Sequence, residues 1–335
     1  MEKVIVLTTG GTIAHRSSRS VAVLDFDPKA LAADLGVTDV ELEFRAVFAK
    51  GSMAIVPEDW KNLAAAAGKA IADGAGGIVI LHGTDTMHYT AAALSFMLLD
   101  PSMPVVFTGS MIPGGDPGTD ALSNLRDAVR VAAAADLGEV CVVFSANAER
   151  TRGVIIRGVR ARKIRSYAID AFASINAPPI GYVENDKVHI DDAKARPRGA
   201  ARPRLAAEIE ENVVLVKLNP AVTPQMLARY LLGAAGAVIE GTGIGHIRSE
   251  LHPALVAFGK PVVMTTQAIY GGERLGTYDA DRAILAIPNL IPAGDMTSET
   301  ALVKLMWAFT QGGNIRTIIR TNVAGECAGA LGKQG

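Results

Sequence analysis

The sequence has few of the features that mark secreted, membrane-bound or nucleic-acid-binding proteins. Only two of the 335 residues are cysteine, Cys141 and Cys327, and they form neither a disulfide framework nor a metal-ligand motif. Such sparse cysteine usage fits a reducing compartment. The 33 basic residues nearly balance the 34 acidic ones, giving a net charge of -1, so no charge excess favours nucleic acid or a membrane surface.

Long hydrophobic runs are absent as well. No window approaches the roughly 20 apolar residues of a membrane span, and the apolar run in the opening MEKVIVL is too short for a signal-peptide core. We therefore expect a cytoplasmic protein that binds neither nucleic acid nor membrane. Its 49% hydrophobic content predicts a substantial core, and the length suffices for one large α/β unit or two domains.

Short β-branched segments alternate with longer Ala- and Leu-rich segments in the first half. The predicted strands are VIVLTT, GGIVILHG, PVVFTGS and EVCVVFSAN, the last of which should bury Cys141. The predicted helices are DPKALAADLG, PEDWKNLAAAAGKAIADG, TAAALSFMLLD and DALSNLRDAVRVAAAADLG. Buried strands that alternate with helices predict a mostly parallel sheet with helices on both faces.

This alternation lapses between about Val183 and Ala206. The segment DDAKARPRGAARPR is rich in proline and arginine and lacks apolar periodicity, which favours a linker or surface crossover. A second α/β series follows, from NVVLVKLNP to TSETALVKLMWAFTQGG. The sequence thus predicts a larger N-terminal domain over residues 1–190 with the main catalytic residues, a linker over 191–212, and a smaller C-terminal α/β domain over 213–335.

Small and polar residues follow each predicted strand of the first half. They form four groups: Gly10-Gly11-Thr12, His82-Gly83-Thr84-Asp85, Thr108-Gly109-Ser110 and Ser145-Ala146-Asn147. Ligands of open parallel sheets bind at the carboxyl ends of the strands. We therefore expect these groups to converge on one rim.

The Gly10-Gly11-Thr12 group has two interpretations. It could be a tight strand-to-loop turn with Thr12 as a cap, or a platform that presents the Thr12 hydroxyl for chemistry. A dinucleotide-binding fingerprint needs a third glycine, and a phosphate loop needs a following lysine; both are missing here. Phosphate binding is therefore the weaker functional interpretation.

The Thr84-Asp85 group is also open to two interpretations. Either residue could cap the following helix, or the pair could serve chemistry, since a threonine hydroxyl becomes reactive when a lysine of lowered pKa accepts its proton. The basic run RTRGVIIRGVRARKIRSYAIDAF predicts a solvated, positively charged loop, with Lys163 as the exception. His82 and His88 lack acidic partners at metal-ligand spacing, so we predict structural roles for them.

Several of these segments resemble the L-asparaginase family. TTGGTIA and HGTDTM are similar to its two signature motifs, and TGSMIP, RARKIRSYAIDAFAS, EGTGIGHI and DMTSETALVKL extend the resemblance over most of the chain. The segment TTQAIYGGERLGTYDADRA resembles the cytosolic, type I-like branch. HGTDTMHYTAAALSFML is also similar to the asparaginase-like subunit of archaeal glutamyl-tRNA amidotransferase.

The resemblance implies hydrolysis of L-asparagine to L-aspartate and ammonia through an acyl-threonine intermediate. Carried over by residue, Thr12 is the nucleophile, Lys163 assists proton transfer through Thr84, and Asp85 also binds the substrate amino group. Tyr278 matches a tyrosine at the site of type I-like members. The resemblance implies no cofactor and no metal, and a homodimer or homotetramer.

The resemblance also implies a substrate-binding set. Ser52 matches the serine that holds the substrate α-carboxylate, and backbone N–H groups of Gly11 and Thr84 are expected to donate to the oxyanion. The full expected set is Gly11, Gly51, Ser52, Met53, Thr84 and Asp85.

The chain departs from the family pattern at three places. Many members carry a tyrosine on a mobile loop about a dozen residues after Thr12, whereas the first tyrosine here is Tyr89. Tyr278 or a loop serine could activate Thr12 instead. Met53 stands where the family often has a polar residue, and His246 where it often has an asparagine.

Two alternative functions follow from the same residues. One is a glutamine-hydrolysing amidotransferase subunit, although that subunit normally carries an additional N-terminal domain and the first strand here starts near Val4. The other is a noncatalytic binding protein on the same fold, an alternative suggested by the missing loop tyrosine.

Overall fold

The computed structural model describes residues 1–10, 33–199, 202–279 and 281–328, and the elements below are those of these residues. The chain forms two compact units. The first comprises Met1–Ser174 and Pro178–Ala207, and the second comprises Ile175–Ala177 and Glu208–Gly335. The domain boundaries expected from the sequence stay a prediction.

The first unit contains three described helices and twelve strands. Its strands are β1 (Glu2–Thr8), β2 (Val40–Ala46), β3 (Gly77–Leu81), β4 (Leu98–Leu99), β5 (Val105–Thr108), β6 (Val140–Ser145), β7 (Arg152–Arg157), β8 (Ala161–Lys163), β9 (Phe172–Ser174), β10 (Gly181–Glu184), β11 (Lys187–Ile190) and β12 (Arg204–Leu205). Its helices are α1 (Pro57–Ala72), α2 (Met87–Met97) and α3 (Ala121–Ala134).

Eight of these strands form one sheet, in the order β11-β10-β7-β6-β5-β3-β1-β2. The pairs from β2 to β6 are parallel, and the pairs from β6 to β11 are antiparallel. Helix α3 packs against one face, where Val6 and Val79 are fully buried, and α1 and α2 also contact these strands. The predicted mixed α/β fold with a mostly parallel sheet is confirmed.

The second unit has a separate sheet of four parallel strands, in the order β13-β14-β15-β16. Its strands are β13 (Val213–Lys217), β14 (Gly236–Gly241), β15 (Val262–Thr266) and β16 (Leu290–Pro292). Its helices are α4 (Pro224–Leu231), α5 (His252–Phe258), α6 (Asp281–Leu285), α7 (Ser298–Ala308) and α8 (Ile315–Arg320). Alternate residues of β14 belong to different apolar clusters, one with α4 and α5 and one with α7, so both faces of this sheet are covered.

Two segments are more regular than the sequence predicts. The basic run is not a solvated loop, because Arg152–Arg157 is strand β7, paired on both sides with β6 and β10, and Arg160 is buried. The region after Val183 also contains strand β11, which forms a hairpin with β10. In both segments, short apolar stretches lie between charged residues, so the sequence pattern does not identify them as strands. Their burial depends on partner segments that are distant in sequence.

Within the described ranges, no helix combines the length and the apolar character that crossing a membrane requires. Cys141 is buried in β6, as predicted, and Cys327 is buried as well.

Candidate active site

The carboxyl ends of three neighbouring parallel strands meet at one rim of the larger sheet. Thr9, just after β1, donates from its backbone N–H and its hydroxyl to the Leu81 carbonyl at the end of β3, at 3.1 and 2.9 Å. His82, just after β3, donates its backbone N–H to the Thr108 carbonyl at the end of β5, at 2.9 Å. The first residues of the polar segments that follow β1, β3 and β5 are therefore adjacent to one another at this rim.

The rim brings together three of the residues singled out in the sequence. Lys163 Nζ lies 2.9 Å from Thr84 Oγ1 and 2.8 Å from Asp85 Oδ1, at hydrogen-bond distance to both. Lys163 ends β8, a strand that contacts α2, so the fold carries the lysine across 78 residues of sequence. Its side chain is only 12% exposed, whereas that of Asp85 is 61% exposed. The cluster therefore pairs a sheltered amine and hydroxyl with a carboxylate open to a ligand.

The helix-cap interpretation of Thr84 and Asp85 is wrong. Helix α2 begins at Met87, and Thr86 occupies the N-cap position. The Thr84 hydroxyl and the Asp85 carboxylate both face Lys163 instead.

Ser52 lies against the same cluster. It is 5% exposed, and its Oγ accepts a hydrogen bond of 3.2 Å from the backbone N–H of Asp85. Its carbonyl accepts another, of 2.7 Å, from the Thr86 hydroxyl. Gly83 has to be glycine here, because a Cβ would lie 2.7 Å from Ser52 Oγ. Met53, by contrast, is 83% exposed.

The end of β1 approaches the segment before Ser52. Gly10 has φ +99°, and a Cβ there would lie 2.6 Å from the Lys50 carbonyl oxygen, so both its conformation and its surroundings require glycine. The backbone N–H of Lys50 donates to the Thr9 carbonyl at 2.9 Å. Gly11 and Thr12 lie outside the described residues, and their expected roles stay predictions.

His82, the first residue of HGTDTM, and His88, which follows that motif, are both buried, with 1% and 8% of their surface exposed. Burial lowers the pKa of each to about 4, and the positive charges of Arg162 and Lys163 act in the same direction on His88. Both imidazoles are therefore neutral at neutral pH. His82 Nδ1 bonds to the Gly83 carbonyl, while the other nitrogen of that ring has no partner among the described residues.

Tyr278 and His246 belong to the second unit, and both are hydrogen-bonded to Asp281. His246 Nε2 lies 2.9 Å from Asp281 Oδ1, and the backbone N–H groups of Gly276 and Tyr278 donate to Oδ2 at 3.0 and 2.9 Å. The Tyr278 ring lies 5.7 Å from the His246 ring and is 58% exposed. Asp281, which the sequence did not single out, organises this loop.

Sequence reasoning also missed Asp120, which supports the segment after β5. This fully buried carboxylate accepts backbone hydrogen bonds of 3.0 Å from Met111 and Ile112 and one of 2.9 Å from Asn124 Nδ2. Asn124 also donates to the Gly109 carbonyl. An aspartate just before a helix signals a cap, but sequence spacing does not reveal partners eight or nine residues upstream.

Comparison with known proteins agrees with the sequence resemblance. Two family models match, "Asparaginase, N-terminal" over residues 3–196 and "Glutaminase/Asparaginase C-terminal domain" over residues 212–321. The chain is 40% identical to an L-asparaginase of Thermococcus kodakarensis, over 98% of this chain and 100% of that protein. It is 36% identical to a glutamyl-tRNA(Gln) amidotransferase subunit of Methanosphaera stadtmanae, over 96% of this chain and 76% of that protein.

Solved structures give the same result. A structure of the thermostable L-asparaginase from Thermococcus kodakarensis matches with a TM-score of 0.89 and 39% identity, covering 98% of this chain and 99% of that one. L-asparaginase I from Vibrio cholerae matches with a TM-score of 0.83 and 28% identity, with the same coverage. Because the family models cover most of the chain and the likeness to L-asparaginases runs over its full length, the chain belongs to the asparaginase family.

Proposed function

We propose that the protein hydrolyses L-asparagine to L-aspartate and ammonia through an acyl-threonine intermediate on Thr12. The family membership and the 40% identity to an L-asparaginase support the reaction. The observation that carries the mechanism is the position of Lys163 Nζ, at hydrogen-bond distance from both Thr84 Oγ1 and Asp85 Oδ1.

The reaction divides into two half-reactions. In the first, Thr12 Oγ attacks the side-chain amide carbon, the C–N bond breaks, and the amide nitrogen leaves as ammonia with the hydroxyl proton. In the second, water attacks the acyl-threonine ester, releasing aspartate and restoring the Thr12 hydroxyl. Lys163, acting through Thr84, serves as proton acceptor and donor. Tyr278 or a loop serine remains the candidate for activating Thr12.

Substrate recognition is assigned to the polar groups that converge on the rim. Asp85 offers an exposed carboxylate to the substrate α-ammonium group, and Ser52 offers its hydroxyl to the α-carboxylate. The backbone N–H groups of Gly11 and Thr84 donate to the oxyanion, where such donors contribute most to catalysis. Gly51 and Met53 complete the proposed binding segment.

A glutamine-hydrolysing amidotransferase subunit is the second candidate. The 36% identity to one component of such an enzyme favours it, and this chain covers 76% of that relative. Asparagine and glutamine differ by one methylene, a difference that a pocket discriminates by only about 1–3 kcal/mol, roughly 10- to 200-fold.

Ammonia release by the purified chain alone, from asparagine and from glutamine, tests the proposal. We expect kcat/KM to favour asparagine by about 10-fold or more, and Thr12→Ala to abolish turnover. Mass spectrometry of acid-quenched enzyme should place an acyl adduct on the Thr12 peptide. Turnover of glutamine only in the presence of a partner protein and tRNA would favour the amidotransferase. A Thr12→Ala variant that still hydrolyses both amides at the wild-type rate would refute the assignment of Thr12 as the nucleophile.

We further infer a cytoplasmic homodimer or homotetramer. A solved relative from Campylobacter jejuni, with 25% identity and a TM-score of 0.77, is described as a probable cytoplasmic L-asparaginase. The free, buried thiols of Cys141 and Cys327 are consistent with a reducing compartment. Light scattering on the eluted peak of a sizing column would measure the assembly, and a monomeric mass at assay concentration would contradict it.

A further inference from the structure

We propose that Lys50 and Asp59 form a positioning pair that fixes the Ser52 loop, defined as residues 47–56, and thereby sets the affinity for the substrate carboxylate. The inference rests on the proposed function, in which Ser52 binds that carboxylate. Neither Lys50 nor Asp59 is assigned a place in the chemistry itself.

The pair is bidentate and half sheltered. Lys50 Nζ lies 2.6 Å from Asp59 Oδ1 and 2.8 Å from Oδ2. The Asp59 side chain is 6% exposed and the Lys50 side chain 41%. Asp59 Oδ2 also accepts the backbone N–H of Val56 at 2.9 Å, in the first turn of α1. The ion pair therefore ties the beginning of the Ser52 loop to the helix that ends it.

The Ser52 loop contacts both motif-bearing segments of the rim. At one end, the Lys50 backbone bonds to the Thr9 carbonyl and lies against Gly10. Two residues later, Ser52 bonds to the backbone N–H of Asp85. A shift of the loop at Lys50 would therefore move the Ser52 hydroxyl relative to Asp85, the residue proposed to hold the other end of the substrate backbone.

Apolar packing does little to hold this loop. Within residues 47–56, Ser52 alone is buried, and the remaining residues are intermediate or exposed. Hydrogen bonds and the ion pair thus provide most of its attachments. Asp59 Oδ2 accepts the Val56 N–H independently of its contact with Lys50. We therefore expect loss of Lys50 to loosen the loop while leaving α1 intact.

The test compares Lys50→Met, Asp59→Asn and the double variant, with kcat and KM measured for asparagine. We expect Lys50→Met to raise KM about 10-fold with kcat within about 2-fold, the signature of lost binding rather than lost chemistry. The KM of the double variant should be no higher than that of Lys50→Met, since each of the two changes removes the same ion pair. Lys50→Arg, which can also pair bidentately with a carboxylate, should restore most of the affinity.

The matched control is Lys69→Met. It breaks the Lys69–Asp73 ion pair of 2.9 Å at the other end of α1, where the lysine is 72% exposed. We expect its KM and kcat to equal those of the wild type. If Lys50→Met leaves KM unchanged, or lowers kcat and the melting temperature with no change in KM, the positioning role is overturned.

Failure of the proposed function gives a different result. A wild type that does not hydrolyse asparagine, or a Ser52→Ala variant with unchanged KM, would overturn the assignment of Ser52 and the inference with it. An active wild type in which Ser52→Ala raises KM and Lys50→Met does not would overturn only the role of the pair.

Discussion

Replacing Lys163 with methionine should remove most of the turnover without unfolding the protein. Methionine keeps much of the apolar stem but cannot bond to the Thr84 hydroxyl or the Asp85 carboxylate, which Lys163 Nζ approaches to 2.9 and 2.8 Å. With the side chain only 12% exposed, bulk water has little access to the vacated position. Among the described residues, the Thr84 hydroxyl would then have no sheltered amine with which to exchange its proton.

The size of the effect follows from the role of the lysine. A positioned acid–base group contributes about 10²- to 10⁴-fold to a rate, which is about 2.7–5.4 kcal/mol in activation free energy at about 1.36 kcal/mol per tenfold. The loss should fall on kcat. The Asp85 carboxylate, 61% exposed, remains able to meet the substrate ammonium group, so KM should change by no more than about 3-fold.

Steady-state ammonia release, measured at saturating asparagine, is the assay. Arg165→Met is the matched control, because it removes a cation just after β8 that pairs with Asp170 at 3.1 Å and is 54% exposed. Such surface pairs contribute about 0–1 kcal/mol, so the control should keep wild-type kcat. A Lys163→Met variant within tenfold of the wild type would refute the reasoning. The double variant Thr84→Val/Lys163→Met gives a second test. If its fold-loss in kcat equals the product of the two single fold-losses, the two residues act independently and the reasoning is refuted, because the effects of residues that act as one unit do not add in free energy.

Three further predictions concern stability. Glu326→Gln removes the negative charge that lies 2.5 Å from Lys304 Nζ, where both side chains are 0% exposed, so that the ammonium group keeps only the carbonyls of Ile319 and Thr321 as partners. We expect this to cost about 3–5 kcal/mol in the free energy of unfolding, measured in urea; a cost below about 1 kcal/mol would contradict this. Burial lowers the pKa values of His82 and His88 to about 4, so each favours the folded state fully above about pH 6.5 and progressively less as the pH falls towards 4. The loss of stability should be on the order of 3 kcal/mol for each histidine. A His82→Gln variant should therefore lose less stability in acid than the wild type. Burial raises the pKa of Asp127 to about 7, so this carboxyl acts in the opposite direction and lowers stability as the pH rises from about 4 to 7; Asp127→Asn should gain stability relative to the wild type at pH 8 but not at pH 4, as measured by thermal unfolding.

The parts of the fold that the sequence predicted are those with local signals. Strand β3 is a continuous apolar run bounded by glycines, and α3 has helical spacing with an aspartate before it, so each could be identified without knowing its partners. The cluster of Lys163 with Thr84 and Asp85 was expected because the motif resemblance supplied the pairing. Composition and spacing alone set Lys163 apart from the rest of the basic run but did not pair it with Thr84 and Asp85.

The missed features depend on contacts between distant segments. Strand β7 has the sequence RGVIIR, in which the flanking arginines indicate a solvated loop, and only pairing with β6 and β10 buries its centre. Hairpin β10–β11 is short and charged, and its pairing is likewise a tertiary property. The Lys50–Asp59 pair was missed for a related reason, since a lysine nine residues before an aspartate has no characteristic meaning until a loop folds back on a helix.

One described glycine of each signature motif, Gly10 and Gly83, lies where another segment packs closely against it. A Cβ at Gly10 would lie 2.6 Å from the Lys50 carbonyl, and one at Gly83 would lie 2.7 Å from Ser52 Oγ. Both glycines therefore face the Ser52 loop, from the ends of the neighbouring strands β1 and β3. The loop that is proposed to bind the substrate carboxylate thus lies between the segment that leads to the proposed nucleophile, Thr12, and the segment that carries Thr84, the partner of the proposed base Lys163. These segments are in contact through backbone groups and short side chains, with little room for larger residues. This packing explains why glycine, which is of little chemical use itself, accompanies each reactive threonine in the sequence.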